Sequence, residues 1–170
     1  GGYLPDLDGA VKKLARWARG PLPVRIVAFP SYLWFGMKRL EELGLSVRLP
    51  RGSKILLAGG WKQHYAQEVD KPRLYALARK VLGVEEEHIH EFFGAVEHPV
   101  FFNTCKKHHF HIPAYARVLI RDVRTLKPLP MGEVGLVNLI PPLIHATPVP
   151  SVMTADLGCR TPGEDCGCGL

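Results

Sequence analysis

No apolar run in this chain approaches the roughly 18–20 residues that a membrane-spanning helix requires, so the sequence contains no span. The first residues, Gly1-Gly2-Tyr3-Leu4-Pro5, lack the basic stretch and apolar core of a secretory signal. There are only 4 cysteines in 170 residues. Two of them, Cys166 and Cys168, are too close in sequence for an unstrained bridge, which argues against a disulfide framework. Internal repeats and low-complexity segments are missing. The net charge is +6, but the basic residues are scattered and never alternate with aromatics, so nucleic acid is not an expected partner. Together these absences point to a cytoplasmic chain, long enough for one domain with a proper core.

What is present changes character near residue 100. Before it, helix and strand signals alternate. Ala10 to Ala18 carries apolar residues at helical spacing and stops at Gly20-Pro21. Val24–Phe29 reads as a short buried strand. A helix then carries Leu33, Trp34, Met37, Leu40 and Leu43, with Ser31 as its N-cap and Gly44 as its stop. Lys54–Ala58 is a second strand, entering the turn Gly59-Gly60. Asp70 caps a helix with Pro72 in its first turn and Gly83 past its end. His88–Phe93 is a third strand, running into Gly94. Strands alternating with helices imply a parallel sheet with crossover helices. Trp17, Phe29, Trp34 and Met37 read as helix core, and His64, His88 and His90 as ordinary strand and loop residues.

After residue 100 the signals are β-rich. Ala116–Asp122 and Glu133–Leu139 flank a turn region from Thr125 to Gly132 and read as a hairpin-type pair. Pro141, Pro142, Pro148 and Pro150 mark a loop, and Val152–Asp156 a last short strand. The expected organisation is therefore an α/β half over 1–100 and a β-rich lobe over 101–170, the two forming one incomplete domain.

Three of the four cysteines, Cys159, Cys166 and Cys168, lie in the Gly/Pro-rich end, in a segment read as non-helical with little to bury. Cys105 opens a histidine cluster, Cys105-Lys106-Lys107-His108-His109-Phe110-His111. Thiolates with imidazole at close spacing suit tetrahedral zinc. The candidate ligands are Cys105, His109 or His111, Cys159, Cys166 and Cys168. Full protein ligation would leave no position for water and make the metal structural.

Three further segments carry chemistry. Gly59-Gly60-Trp61-Lys62 follows a parallel strand, where ligands sit in open α/β sheets and glycine lets a base or phosphate approach the backbone. Phe93-Gly94-Ala95-Val96-Glu97 also follows a buried strand, and Glu97 suits a divalent ion on a nucleotide. Thr154-Ala155-Asp156-Leu157-Gly158 puts a carboxylate where it can accept the two hydroxyls of a ribose. Each also reads as an ordinary turn or a solvated carboxylate.

In order and spacing these segments resemble the adenylate-forming superfamily, and within it the acyl-protein synthetases of bacterial luminescence, related to phenylacetate–CoA ligases. Gly59-Gly60-Trp61-Lys62, Phe93-Gly94-Ala95-Val96-Glu97-His98-Pro99, His111-Ile112-Pro113, Gly132-Glu133-Val134-Gly135-Leu136, Thr154-Ala155-Asp156-Leu157-Gly158 and Cys166-Gly167-Cys168-Gly169 carry the resemblance, from about Val24 to the end. It implies part of an adenylate-forming N-terminal domain. It implies that ATP and a fatty or aromatic carboxylic acid give an acyl-adenylate, and that the acyl group passes to a thiol of a protein or of CoA. Gly59 and Gly60 would border the adenine, and His90 to Phe93, with Gly94 beyond, would line an acyl or adenine wall. Glu97 would hold Mg-ATP and Asp156 the ribose. It also implies a comparable Cys/His set for zinc.

The chain departs from that pattern at Val96, where the superfamily carries threonine. The Ser/Thr/Gly-rich phosphate loop would precede residue 1, and a lysine-bearing subdomain would follow the last residue. The expectation is a fragment inactive by itself. The rival expectation is a non-catalytic, zinc-stabilised binding module on the same scaffold.

Overall fold

The computed structural model describes residues 5–141 and 149–169. The chain divides into two compact units that meet at Phe92 and Phe93, a little before the expected boundary at residue 100.

In the first unit, β1 (Arg25–Ala28), β2 (Lys54–Ala58) and β3 (Ile89–Ala95, which crosses into the second unit) are parallel neighbours, in register from Arg25 opposite Lys54 and from Ile55 opposite Ile89. Parallel neighbours need a crossover. Here α2 (Pro30–Glu42) joins β1 to β2, and α3 (Lys71–Leu82) joins β2 to β3. Helix α1 (Leu7–Ala18) packs on α2, with Arg39 Nε 2.8 Å from Asp8. Met37, Leu40, Ile55, Ala78, Leu82 and Ile89 are fully buried and form the centre of the core. Truncating any of the leucines or isoleucines there costs about 2–5 kcal/mol.

The helix ends follow local chemistry. The Asp70 carboxylate accepts from the Arg73 amide, and Gly83 closes α3 in the left-handed conformation at φ 65°. Asp6, unforeseen as a cap, accepts from the Gly9 amide and starts α1 three residues before Ala10. Ser31 is not the cap of α2. Pro30 occupies the first turn, Phe29 is the cap residue, and Ser31 is buried inside the helix. A proline there needs no amide donor and its φ is already helical, so the helix starts two residues earlier than a Ser31 cap would have it. Gly44 follows the C-cap Leu43 at φ 64° as expected. Met37 is buried and Trp34 packs on the core, but Trp17 and Phe29 are 46% and 41% exposed and are not core residues.

In the second unit, β3 ends at Ala95 and turns through Val96 and Glu97 into β4 (His98–Asn103). The remaining strands, β5 (Arg117–Arg121), β6 (Val134–Ile140) and β7 (Val152–Cys159), form an antiparallel sheet in that order. The β5–β6 connection is organised by Asp122, whose Oδ1 accepts from the amides of Arg124 and Thr125 and from the Thr125 hydroxyl. Those bonds favour the ionised carboxylate and hold Asp122 below its usual range. Strand β7 is longer than expected. The strand runs past Asp156, which sits at an irregularity in the pairing, and Leu157, Gly158 and Cys159 resume the ladder with β6. Of the proline loop, Pro142 and Pro148 lie outside the described residues. Among the described residues no helix is long and apolar enough to cross a membrane.

Candidate functional site

The Gly59-Gly60 turn belongs to the first unit. Gly59 has φ 61°, and a Cβ there would meet the Phe29 ring at 3.2 Å, so both conformation and space require glycine. At Gly60 a Cβ would meet nothing within 4 Å, which leaves an open flank beside the backbone at the carboxyl end of β2. The chain then enters a short 3-10 helix, Lys62–Gln67. His64 lies in this helix and packs its ring edge-on to Phe35 at 5.0 Å and to Tyr32 at 5.7 Å.

The other nucleotide candidates lie in the second unit. Glu97 and Val96 form the tip of the β3–β4 turn. Glu97 is exposed, and Val96 is 97% exposed. Gly94 lies inside β3, and a Cβ there would strike the Phe101 ring at 2.8 Å. The space that glycine leaves at this position is therefore used by Phe101. His98, the first residue of β4, is fully buried, stacks on Phe102 at 5.6 Å, and has no hydrogen-bond partner at either ring nitrogen. The sequence marked it only as part of the Phe93–Pro99 segment, with no role of its own.

Asp156 owes its position to a bulge. Strands β6 and β7 pair Asn138 with Met153 and Leu136 with Leu157, so Val137 alone opposes Thr154, Ala155 and Asp156. The Thr154 hydroxyl pins this bulge, donating to the Val137 carbonyl at 3.1 Å and accepting from the Asp156 amide at 3.2 Å. A bulge bends its strand and re-aims a side chain, which here leaves the Asp156 carboxylate exposed. Next to it, a Cβ on Gly158 would meet Val137 Cγ2 at 2.7 Å, so β7 approaches the sheet closely there. Asp156 and Phe93 line one cavity of about 340 Å³, whose apolar walls include Phe102, Phe110, Val118, Ile120 and Leu139.

The Cys/His candidates converge more sharply. Cys105, His111, Cys166 and Cys168 bring four donor atoms within 4.8 Å of one another, and the three cysteines are buried. Two turns build the group. In the first, the Cys105 amide donates to the His109 carbonyl, His108 takes φ 60°, and Thr104 bridges to Phe110. In the second, the short 3-10 turn Gly163–Cys166 ends at Gly167 with φ 58°, which reverses the chain between the two thiols. The segment read as non-helical thus contains one helical turn. The separations are 3.6 Å for Cys105 Sγ to Cys166 Sγ and 3.5 Å for Cys168 Sγ to His111 Nε2. His109 lies alongside, with Nδ1 3.3 Å from Cys166 Sγ, but His111 is the imidazole of the group. Cys159 is not in it. It stands exposed on β7, with Sγ donating to the Arg160 carbonyl at 3.7 Å, because the strand continues to that residue and holds it in the sheet.

The set fits a zinc ion. Two thiolates at about 2.3 Å from a tetrahedral zinc stand ~3.8 Å apart, close to the spacing of Cys105 and Cys166. Burial pushes the Cys105 thiol up, but the Lys107 and His109 backbone and the Cys166 and His111 side chains outweigh it and bring it down to about 6. Burial, with Cys105 and Cys168 beside it, pushes Cys166 up to about 11. Adjacent thiols resist joint ionisation, and a bound dication removes that conflict.

Parallel strands with crossover helices, followed by an antiparallel β lobe, form the fold found in adenylate-forming enzyme domains. The chain superposes on McyG, an A-PCP structure complexed with phenylalanyl-adenylate, with TM-score 0.62 at 17% identity, over 92% of this chain and 28% of that one. The family model for acyl-protein synthetase, LuxE, matches residues 13–169, and the chain belongs to that family. Two curated relatives are long-chain-fatty-acid–luciferin-component ligases. That of Vibrio harveyi is 25% identical over 134 residues, covering 78% of this chain and 35% of the relative. That of Aliivibrio fischeri is 25% identical over 156 residues, covering 90% and 40%. The chain thus spans well under half the length of both relatives.

Proposed function

We propose that this chain carries part of the nucleotide site of an ATP-dependent ligase that activates a carboxylic acid, fatty in preference to aromatic, as its acyl-adenylate and passes the acyl group to a thiol of a protein or of CoA. The supporting observation is the exposed Asp156 carboxylate, carried on a pinned bulge of β7 and lining a cavity that Phe93 also lines. The names of the curated relatives favour a long-chain fatty acid. In this reading Asp156 accepts from the two ribose hydroxyls. Phe93 offers a flat apolar wall to the base or the acyl group, and the open flank of Gly60 beside Gly59 borders the adenine. Glu97 holds the Mg²⁺ that accompanies ATP, which would lower the cost of charge building at the α-phosphate.

Zinc enters as structure. Cys105, His111, Cys166 and Cys168 would hold it and tie the end of the chain to the turn after β4. Four protein ligands leave no place for a reacting water, so no step passes through it.

The test is calorimetric titration of this chain with AMP. Binding that is lost in Asp156→Ala, with the circular dichroism spectrum unchanged, supports the ribose role. Equal affinity in both proteins refutes it. The second reading, a zinc-stabilised module without chemistry, draws on Val96 in place of a hydroxyl residue beside Glu97. It requires a folded, zinc-loaded chain that binds no nucleotide.

A further inference from the structure

The two turns that build the Cys/His group also supply two walls of the cavity in the second unit. In the first turn His111 points its Nε2 at Cys168 Sγ, 3.5 Å away, while its neighbours Phe110 and Ile112 line the cavity. In the second, Gly163–Cys166 follows shortly after Arg160 and Thr161, which line the same cavity from the end of β7. Each wall is therefore continuous in the chain with donors of the cluster.

The first wall has few other ties. Phe110 and Ile112 are 49% and 44% exposed, and the Phe110 ring meets only the edge of Phe93, at 6.3 Å. On the near side Thr104 bridges to Phe110, and the His111 amide donates to the Asn103 carbonyl at 3.2 Å. Beyond His111, among the described residues, the next backbone bond before β5 runs from the Ala116 amide to the Pro113 carbonyl. A segment with so few buried contacts opens easily unless something local holds it. The imidazole between Phe110 and Ile112 is the group placed to do so once it binds a metal.

The same donors allow a second chemistry. Cys105 Sγ and Cys166 Sγ are 3.6 Å apart, so reaching the ~2.05 Å of a disulfide takes a closure of only about 1.5 Å. That bond would still join the end of the chain to the turn after β4, but it would leave His111 with nothing to bind.

We infer that the Cys/His cluster is a redox-sensitive switch for the adjacent cavity. With zinc bound, His111 holds Phe110 and Ile112 in the wall. A peroxide then oxidises the Cys105 and Cys166 thiolates. The S–S bond forms, the O–O bond breaks, the two sulfurs supply the two electrons, and two protons complete two waters. Zinc, reduced to Cys168 and His111 as ligands, leaves, and the wall loosens. A dithiol reverses the disulfide by exchange, and the site reloads. Zinc itself rests on the reading above; its hold on the cavity, and the release of that hold by oxidation, are what is added.

The test uses the whole chain carrying Cys159→Ser, which removes the exposed thiol. Three states are compared: zinc-loaded, treated with hydrogen peroxide, and treated and then restored with dithiothreitol and zinc. Zinc should be released in step with a Cys105–Cys166 disulfide mapped by mass spectrometry. Hydrogen exchange should rise at residues 109–112 and stay low in β6. AMP affinity should fall about tenfold, within the usual span of coupling between two sites. Restoration should reverse all three changes. Phe110→Ala removes a wall residue but no donor, so it should keep zinc and still form the disulfide, yet lose most of the dependence of AMP binding on oxidation. Full dependence in that variant overturns the route through the wall. Zinc retained under peroxide, or released without that disulfide, overturns the switch. So does a release that leaves AMP affinity and exchange at 109–112 unchanged. Failure of the readings beneath it looks different. A chain without zinc before treatment overturns the zinc reading and the switch with it. Zinc-loaded protein that binds no AMP overturns the nucleotide assignment, and exchange at 109–112 then decides the switch.

Discussion

Cys105 Sγ and Cys166 Sγ stand 3.6 Å apart across a sequence separation of 61 residues. That spacing is well beyond the ~2.05 Å of a disulfide and close to the ~3.8 Å between two thiolates on one zinc. With Cys168 and His111 completing the group, the end of the chain and the turn after β4 share a point of attachment.

One tightly held zinc per chain is therefore expected in protein purified without added metal. Cys166→Ser or Cys168→Ser should lose the ion and lower the melting temperature by several degrees, whereas Cys159→Ser should keep a full equivalent. Because metal binding to such sites is coupled to folding, a chelator should loosen the second unit. Metal analysis with thiol titration decides the matter. Less than about 0.2 zinc per chain with all four thiols reactive would contradict a site of this affinity class.

How much of this was legible in the sequence depends on whether the deciding physics was local. Helix α3 was readable because Asp70, Pro72 and Gly83 act within a turn of their own positions. Parallel β1, β2 and β3 were readable because apolar strands alternating with helices have few alternatives, although β1 proves to be an edge strand with Val27 exposed and not the buried strand expected. Strand β4 was missed because His98 and Pro99, following the Glu97 turn, look like loop residues, and only pairing with β3 makes His98–Asn103 a strand. The extension of β7 was missed because Asp156 and Gly158 are turn formers. A bulge absorbs the first, and close approach to Val137 requires the second. The Cys/His cluster was readable as a pool of candidate ligands. Choosing among them was not, since Cys159 differs from Cys166 only in lying on a strand, and His111 from His109 only in where its ring lies.

Asn138 should be the most sensitive polar position of the three-stranded sheet. It is buried, its Oδ1 accepts from Arg121 Nε at 2.7 Å, and its Nδ2 donates to Ser151 Oγ at 2.7 Å and the Val152 carbonyl at 3.1 Å. One side chain thus ties β5 and β7 to β6. Asn138→Leu leaves those partners without their bonds and should cost about 2–3 kcal/mol in urea unfolding. Asn138→Asp keeps the acceptor for Arg121 but loses both donors, and should still be clearly destabilised. A change below about 0.5 kcal/mol in both variants would mean that the network is dispensable.

Glu41 should give the first unit a salt- and acid-sensitive tie. The Lys38 ammonium, and Lys80 with it at 2.6 Å from Oε1, hold its carboxyl down at about 2 from an ordinary 4.5. The depression means that the folded state favours the charged form. The stabilisation is present above the ordinary value and is lost as pH falls through about 2. Because the pair is exposed, the effect should be small and screened by salt. Melting curves of wild type and Glu41→Gln should differ near neutral pH at low salt and converge both in high salt and at the acid limit. A difference that persists in acid would assign the effect to packing of the side chain instead of its charge.

In a full-length ligase carrying this segment, the roles proposed for Asp156 and Glu97 should separate kinetically. Asp156→Ala should weaken ATP binding more than Glu97→Ala does. Asp156 would make two charge-assisted hydrogen bonds to the ribose, each typically worth about 1.5–3 kcal/mol, and both exist before reaction begins. Their loss should fall mainly on KM. Glu97 would act through the metal on charge that grows at the α-phosphate, so its removal should fall mainly on kcat. The positions of the two side chains agree with this division, because the Asp156 backbone is anchored by the Thr154 hydroxyl while Glu97 stands exposed at a hairpin tip. Steady-state kinetics of the two variants and of Thr154→Val provide the measurement. Thr154→Val should reproduce part of the Asp156 effect on KM with little change in kcat, since it loosens the bulge without touching the carboxylate. If Asp156→Ala leaves both constants within about twofold of wild type, a difference of only ~0.4 kcal/mol, the bulge serves the sheet and the ribose is held elsewhere.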